Sequence, residues 1–126
     1  MNLRTPIAKV RGLGSAKHGT EHYLAINISS IALAGLGLWV FIGFLGVVGE
    51  GRDAVLGWMA HPLNAVLIVS FLYNTFYHMM LGFQVIIEDY VHTEWLKMVC
   101  LMTLRFVCIY CGLISVLSTL KIVFQY

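Results

Sequence analysis

Charge is what this chain has least of. Of its 126 residues only 11% are charged, eight Lys and Arg against six Asp and Glu, while 60% are hydrophobic and the mean hydropathy is +0.84. An ordinary soluble domain carries roughly 25% charged residues, so a cytosolic globule and a disordered tail are both excluded. The net charge of +2 gives none of the basic field that DNA or RNA binding draws on, which excludes a nucleic-acid partner. Cysteine is scarce as well. Cys100, Cys108 and Cys111 all fall in the last apolar third, and an odd number of thiols at membrane depth excludes a secreted disulfide framework. Cys108 and Cys111 have the C-x-x-C spacing of a redox pair, but they lie inside an apolar run with no second pair and no following histidine. Cysteine in that setting is a small packing hydrophobe. Internal repeats and low-complexity tracts are also absent.

What the chain does have is long apolar runs, and they predict an all-α membrane protein with three transmembrane helices. Residues 1–23 read as a retained polar tail, with Arg4, Lys9, Arg11 and Lys17 against Glu21 and with Gly12, Gly14 and Gly19 between them. A secretory signal would place a short apolar core near the start. The first span covers 24–48, with no charge between Glu21 and Glu50. At ~1.5 Å per residue it crosses a ~30 Å hydrocarbon core. Its small residues Ser30, Ala34, Gly35, Gly37, Gly43 and Gly46 allow close helix approach. Glu50-Gly51-Arg52-Asp53 is a polar turn. The uncharged stretch from Ala54 to Ile87 is longer than one span needs. Pro62 suits a helix first turn and Trp58 an interface, so the second span is placed at 62–88 and 54–61 is read as interfacial. The third span covers 97–124, after a short loop containing His92, Glu94 and Trp95.

Basic residues set the orientation. Arg4, Lys9, Arg11, Lys17 and Lys97 fall on one side and Arg52 and Lys121 on the other. The positive-inside bias then puts the N-terminus and the second loop in a bacterial cytoplasm or a mitochondrial matrix, with the C-terminus outside.

Polar side chains at membrane depth are costly and face a bundle interior, a cavity or a cofactor. The second span carries an organised set: at 100° per residue, Asn64, Asn74, Gly82, Val85 and Asp89 lie within ~40° of the direction of His78. A neutral imidazole in a dry bundle is a good axial ligand for haem iron, and Gly82 at i+4 leaves room for a flat macrocycle. Equally, His78 can hydrogen-bond across helices and Gly82 can be a packing glycine. If His78 binds haem, the chain cannot complete the coordination alone. His61 and His92 lie ~20–25 Å away along the helix axis, and His18 and His22 are in the tail, so a second ligand requires a partner chain. Asp89-Tyr90 sits at the cytoplasmic boundary, where a phenol beside a carboxylate can donate a hydrogen bond to a quinone carbonyl and relay a proton. The same pair also suits a simple helix stop followed by an interfacial aromatic. Arg105, ~12 Å into the third span, can snorkel to the interface or pair with an anionic group such as a haem propionate.

The run His78-Met79-Met80-Leu81-Gly82-Phe83-Gln84-Val85-Ile86-Ile87-Glu88-Asp89-Tyr90 resembles the H-x3-G-x-Q-x4-D-Y signature of the D-type hydrophobic membrane anchor of succinate dehydrogenase, respiratory complex II. The tail Gly12-Leu13-Gly14-Ser15-Ala16-Lys17 with Gly19-Thr20-Glu21-His22 resembles the segment before the first helix in alphaproteobacterial and mitochondrial-type members. Length, span number and orientation match too, so the resemblance covers nearly the whole chain.

The resemblance implies a helix bundle shared in a four-subunit complex. A flavoprotein oxidises succinate to fumarate, an iron–sulfur subunit conducts the electrons, and two small anchors share one haem b and reduce ubiquinone. It implies that His78 is the axial ligand given by this anchor, with the other coming from a C-type anchor. Tyr90 corresponds to the tyrosine that hydrogen-bonds a ubiquinone carbonyl, and Asp89 to the acid beside it in proton delivery. One position departs from the pattern: Asn27 stands where many members have an arginine that reaches a haem propionate, a contact that Arg105 can take over. The chain has no flavin-binding glycine motif, no cluster-binding cysteine set and no arginine cluster for a dicarboxylate, so it is not read as an enzyme by itself. The alternative from another class is a purely structural anchor without cofactor. A pore subunit fits poorly, because the first span offers little polarity beyond Asn27, Ser29 and Ser30.

Overall fold

A computed structural model of the chain describes residues 5–7 and 18–125. The basic residues Arg4, Lys9, Arg11 and Lys17 and the glycine-rich 12–17 segment lie outside the described residues. The elements are α1 (His18–Val48), α2 (Arg52–Ala60), α3 (Pro62–Tyr90) and α4 (Glu94–Gln125). The described residues are all-α, and α1 from Gly19, α3 and α4 are long and apolar enough to cross a membrane. Helix is the form an apolar chain must take there, because each backbone N–H and C=O needs a partner that lipid cannot offer.

The helices extend past the apolar runs. α1 takes in Glu21 and α4 takes in Glu94, each in its first turn, where a carboxylate faces the positive end of the helix dipole. α3 continues through Glu88 and Asp89 to Tyr90. The stretch before Pro62 is itself helical as α2, and the break falls on one residue. His61 is extended, with φ −61° and ψ 129°, because a following proline disfavours the helical conformation. Asn64 on α3 donates from Nδ2 to the Trp58 carbonyl at 2.8 Å, which ties the two sides of that break together. The turn from α1 into α2 passes through Gly51 at φ +98°, in the left-handed region that glycine enters at no steric cost.

α3 is the central helix. It packs along both α1 and α4, α1 and α4 do not approach each other, and α2 closes one end by touching all three. So flat an arrangement buries little. Ala65, Ile68, Leu81 and Cys108 form the buried apolar set, joined by the polar Ser29 and Thr119. Large apolar residues such as Ile31, Phe41, Leu63, Val66, Phe106, Ile114 and Leu117 face outward. An apolar surface this extensive is stable only against lipid or another protein.

Glycines set the closest approaches. A Cβ on Gly37 would meet the Phe71 ring at 3.3 Å, and one on Gly43 would meet the Trp58 indole at 2.5 Å. Trp58 is stacked on Trp39 with ring centroids 5.7 Å apart, so the indole has little freedom to retreat. Gly43→Ala is therefore expected to destabilise the bundle by about 1–3 kcal/mol through overpacking and to shift tryptophan fluorescence. Gly46→Ala, where a Cβ meets open space, should do neither. Thermal unfolding of the detergent-extracted protein, followed by that fluorescence, checks both.

Candidate functional site

The polar stripe of α3 meets α1 at one residue. Ser29 is 3% exposed, and α3 contacts it twice. Asn74 donates from Nδ2 to the Ser29 carbonyl at 2.8 Å. One turn further on, His78 Nδ1 lies 2.8 Å from Ser29 Oγ. Asn74 and His78 are four residues apart and so share a face. Their two contacts fix both the register and the rotation of α3 on α1. Ser29 Oγ also donates to the Ile26 carbonyl at 2.9 Å.

Nδ1 carries the hydrogen bond found for the His78 ring among the described residues, which leaves Nε2 without one. One turn onward a Cβ on Gly82 would meet nothing within 4 Å. The site therefore has an imidazole anchored through one nitrogen, a second nitrogen without a partner, and open space on the adjoining turn. An imidazole held in this way could serve as a ligand to a haem iron, with Gly82 keeping the adjoining turn free of a side chain. Among the described residues no group of three His, Cys, Asp or Glu side chains comes together to hold a metal ion, so His78 would act as a single ligand.

The remaining candidates are placed apart from this point. Asp89 and Tyr90 end α3, ~17 Å beyond His78 along the helix axis. Both are exposed, Tyr90 at 78%. His92 Nδ1 donates to the Tyr90 carbonyl at 3.1 Å, which folds the short loop back over the helix end. Gln84 donates to Glu88 Oε1 at 2.8 Å along the same helix. Arg105 is exposed on α4 and makes no ion pair among the described residues. Asn27 donates to the Tyr23 carbonyl one turn back in its own helix at 3.0 Å.

Two residues gain importance that hydropathy and periodicity did not assign to them. Ser29 is the partner of His78, although the sequence shows it only as one of the few polar residues of the first span. The available signal was its depth, opposite His78 in an antiparallel pair. His22 belongs to α1 rather than to the tail, and its Nε2 is buried with no hydrogen-bond partner among the described residues. It lies two turns before Ser29 on the same face of α1, toward the end of the bundle where α3 finishes.

The model of the succinate dehydrogenase/fumarate reductase transmembrane subunit family matches residues 1–112. The chain belongs to this family. It is 31% identical over 96 residues to the succinate dehydrogenase hydrophobic membrane anchor subunit of Rickettsia bellii, covering 76% of this chain and 77% of that one. It is 30% identical over 90 residues to the subunit of the same name from Paracoccus denitrificans, covering 71% and 70%. A Rickettsia conorii counterpart is 28% identical over 109 residues, or 86% of each chain. These relatives bear out the resemblance to the alphaproteobacterial succinate dehydrogenase membrane anchor. No solved structure matches the chain. As a member of the succinate dehydrogenase/fumarate reductase transmembrane subunit family with three membrane-length helices, the chain is a multi-pass membrane protein.

The grip of Asn74 on Ser29 has a measurable strength. Asn74→Leu removes an interhelical hydrogen bond at membrane depth and is expected to cost about 0.6–1.7 kcal/mol, measured as a lowered unfolding midpoint of the detergent-extracted protein. Ser70→Ala, which loses only a bond to Val66 in its own helix, should leave the midpoint close to wild type.

Proposed function

We propose that this chain is the hydrophobic membrane anchor of a succinate:ubiquinone oxidoreductase. In this reading it docks a flavoprotein and an iron–sulfur subunit to a bacterial cytoplasmic or mitochondrial inner membrane, with its N-terminus on the cytoplasmic or matrix side. His78 Nε2 gives one axial ligand to a haem b, and the second histidine comes from a C-type anchor. The observation that carries the haem part is the anchored ring: Nδ1 held by Ser29 at 2.8 Å and Nε2 without a hydrogen bond among the described residues, one turn from Gly82, where a Cβ would meet nothing within 4 Å. When bound, the haem supplies a one-electron redox centre within the bundle. Arg105, exposed on α4 and outside any ion pair among the described residues, is available to a propionate.

The quinone part is assigned to the end of α3. The Tyr90 hydroxyl, on a side chain 78% exposed, donates a hydrogen bond to a ubiquinone carbonyl and so polarises it as electrons arrive. The Asp89 carboxylate beside it passes protons from the aqueous side, an interface position suited to both water and a lipid head group. The buried Nε2 of His22, which has no hydrogen-bond partner among the described residues, supports a polar ligand at this end, since a buried polar atom ordinarily has a partner. Succinate oxidation itself belongs to the partner chains.

A second reading has a specific observation in its favour. His78 and Asn74 both form hydrogen bonds across to α1, and in a purely structural anchor that is their whole role. An optical spectrum of the gently extracted complex, before and after succinate, separates the two. The haem reading expects sharp b-type α and Soret bands that succinate at least partly reduces, and expects them to be lost in His78→Ala. An intact complex without any haem band would leave the structural anchor. Tyr90→Phe is expected to lower quinone reduction by about tenfold or more with the haem spectrum unchanged. Full turnover in that variant would remove Tyr90 from the quinone site.

A further inference from the structure

We propose that Ser29 is the positioning residue for His78: it holds the imidazole in the Nδ1–H tautomer, keeps the Nε2 lone pair available to iron, and thereby sets how tightly the haem is held and at what potential. This rests on the haem reading above.

A single proton decides the tautomer. Ser29 Oγ lies 2.9 Å from the Ile26 carbonyl and 2.8 Å from His78 Nδ1, and a hydroxyl has a single hydrogen to give. The carbonyl can only accept. The Ile26 carbonyl also accepts from Ser30 Oγ at 2.8 Å, but if the Ser29 proton went to Nδ1, Ser29 Oγ and that carbonyl oxygen would still face each other at 2.9 Å with no hydrogen between them. Both contacts are satisfied at once only when Oγ–H donates to Ile26 and Nδ1–H donates to Oγ. A neutral imidazole carries one N–H, so Nε2 is left bare, and which nitrogen is free is set by the hydrogen bond the other makes. The arrangement is locked from a second side, because Asn74 holds the Ser29 carbonyl at 2.8 Å and Ser29 is only 3% exposed. Neither water nor a helix rotation replaces the acceptor.

An acceptor on Nδ1–H makes the ring a stronger donor through Nε2, and second-shell hydrogen bonding is one of the levers that sets a haem potential. Oxidised iron gains more from a stronger donor, so the Ser29 bond lowers the potential. Removing it is expected to loosen the haem by at least tenfold, the lower end of the usual effect of about 10–100-fold for such a supporting hydrogen bond. The potential should move in the positive direction, by about 59 mV for each tenfold bias lost between the two oxidation states.

The test uses the whole extracted complex with Ser29→Ala, Ser29→Cys, Ser29→Thr and, as control, His78→Ala. Haem retained through dilution is measured together with a redox titration of the α-band. Ser29→Cys fills nearly the same volume with a far weaker acceptor, so it gives the same answer if Ser29→Ala fails to assemble. The expected result is a positive potential shift and faster haem loss in Ala and Cys, with both restored in Thr, which keeps the hydroxyl. Wild-type retention and potential in Ala and Cys, with haem lost in His78→Ala, would overturn the role of Ser29 and leave the haem reading standing. Haem retained in His78→Ala would overturn the haem reading, and this proposal with it.

Discussion

The contact between residue 29 of α1 and residues 74 and 78 of α3 is the constraint on which the rest of the structure depends. Apolar helices in lipid gain little from hydrophobic contact with one another, since the surrounding tails are equally apolar. What specifies one arrangement is close packing at small residues together with a few directional bonds. Here the directional bonds are concentrated at a single buried serine, whose carbonyl binds Asn74 and whose hydroxyl meets His78. Gly37 against Phe71 and Gly43 against Trp58 supply the close packing further along. On the other flank α4 meets α3 largely through apolar side chains and Gly112, where a Cβ would touch the Phe76 ring at ordinary contact distance.

Much of this was legible in the sequence. Three membrane-length helices follow from the apolar runs, because lipid leaves the backbone no other way to pair its polar groups. The stripe containing Asn74, His78 and Gly82 follows from helical periodicity, and Pro62 marks where the second long helix begins. Two kinds of information were out of reach. The first is helix ends: polar residues such as Glu21 and Asp89 continue a helix into the interface, and hydropathy does not register that. The second is partnership across the chain. Ser29 is one of two adjacent serines in an apolar span that both bond back to Ile26 in their own helix, and only the antiparallel register gives Ser29 its further partner on α3. His22 shows the same limit, since its burial depends on where α1 starts.

The sparse core has a physical meaning of its own. With so few buried side chains and apolar residues exposed along every long helix, the fold is decided by its surroundings as much as by its own contacts. α1 and α4 flank α3 without meeting, leaving α3 partly uncovered between them. Ala32, Leu36, Val69, Ser70, Asn74 and Val116 line that groove. Of the polar stripe, Asn74 lines this groove, so that part of α3 is not sealed in the interior of the chain.

The double attachment at Ser29 has one more consequence. Since the backbone of residue 29 is held by Asn74 and its hydroxyl by His78, α1 cannot turn about its own axis without disturbing both bonds. A rotation of one residue, ~100°, would carry Oγ off the face of α3 and release the imidazole from its contact. The seating of α1 and the orientation of the imidazole on α3 are thus coupled mechanically, through one serine that both helices share.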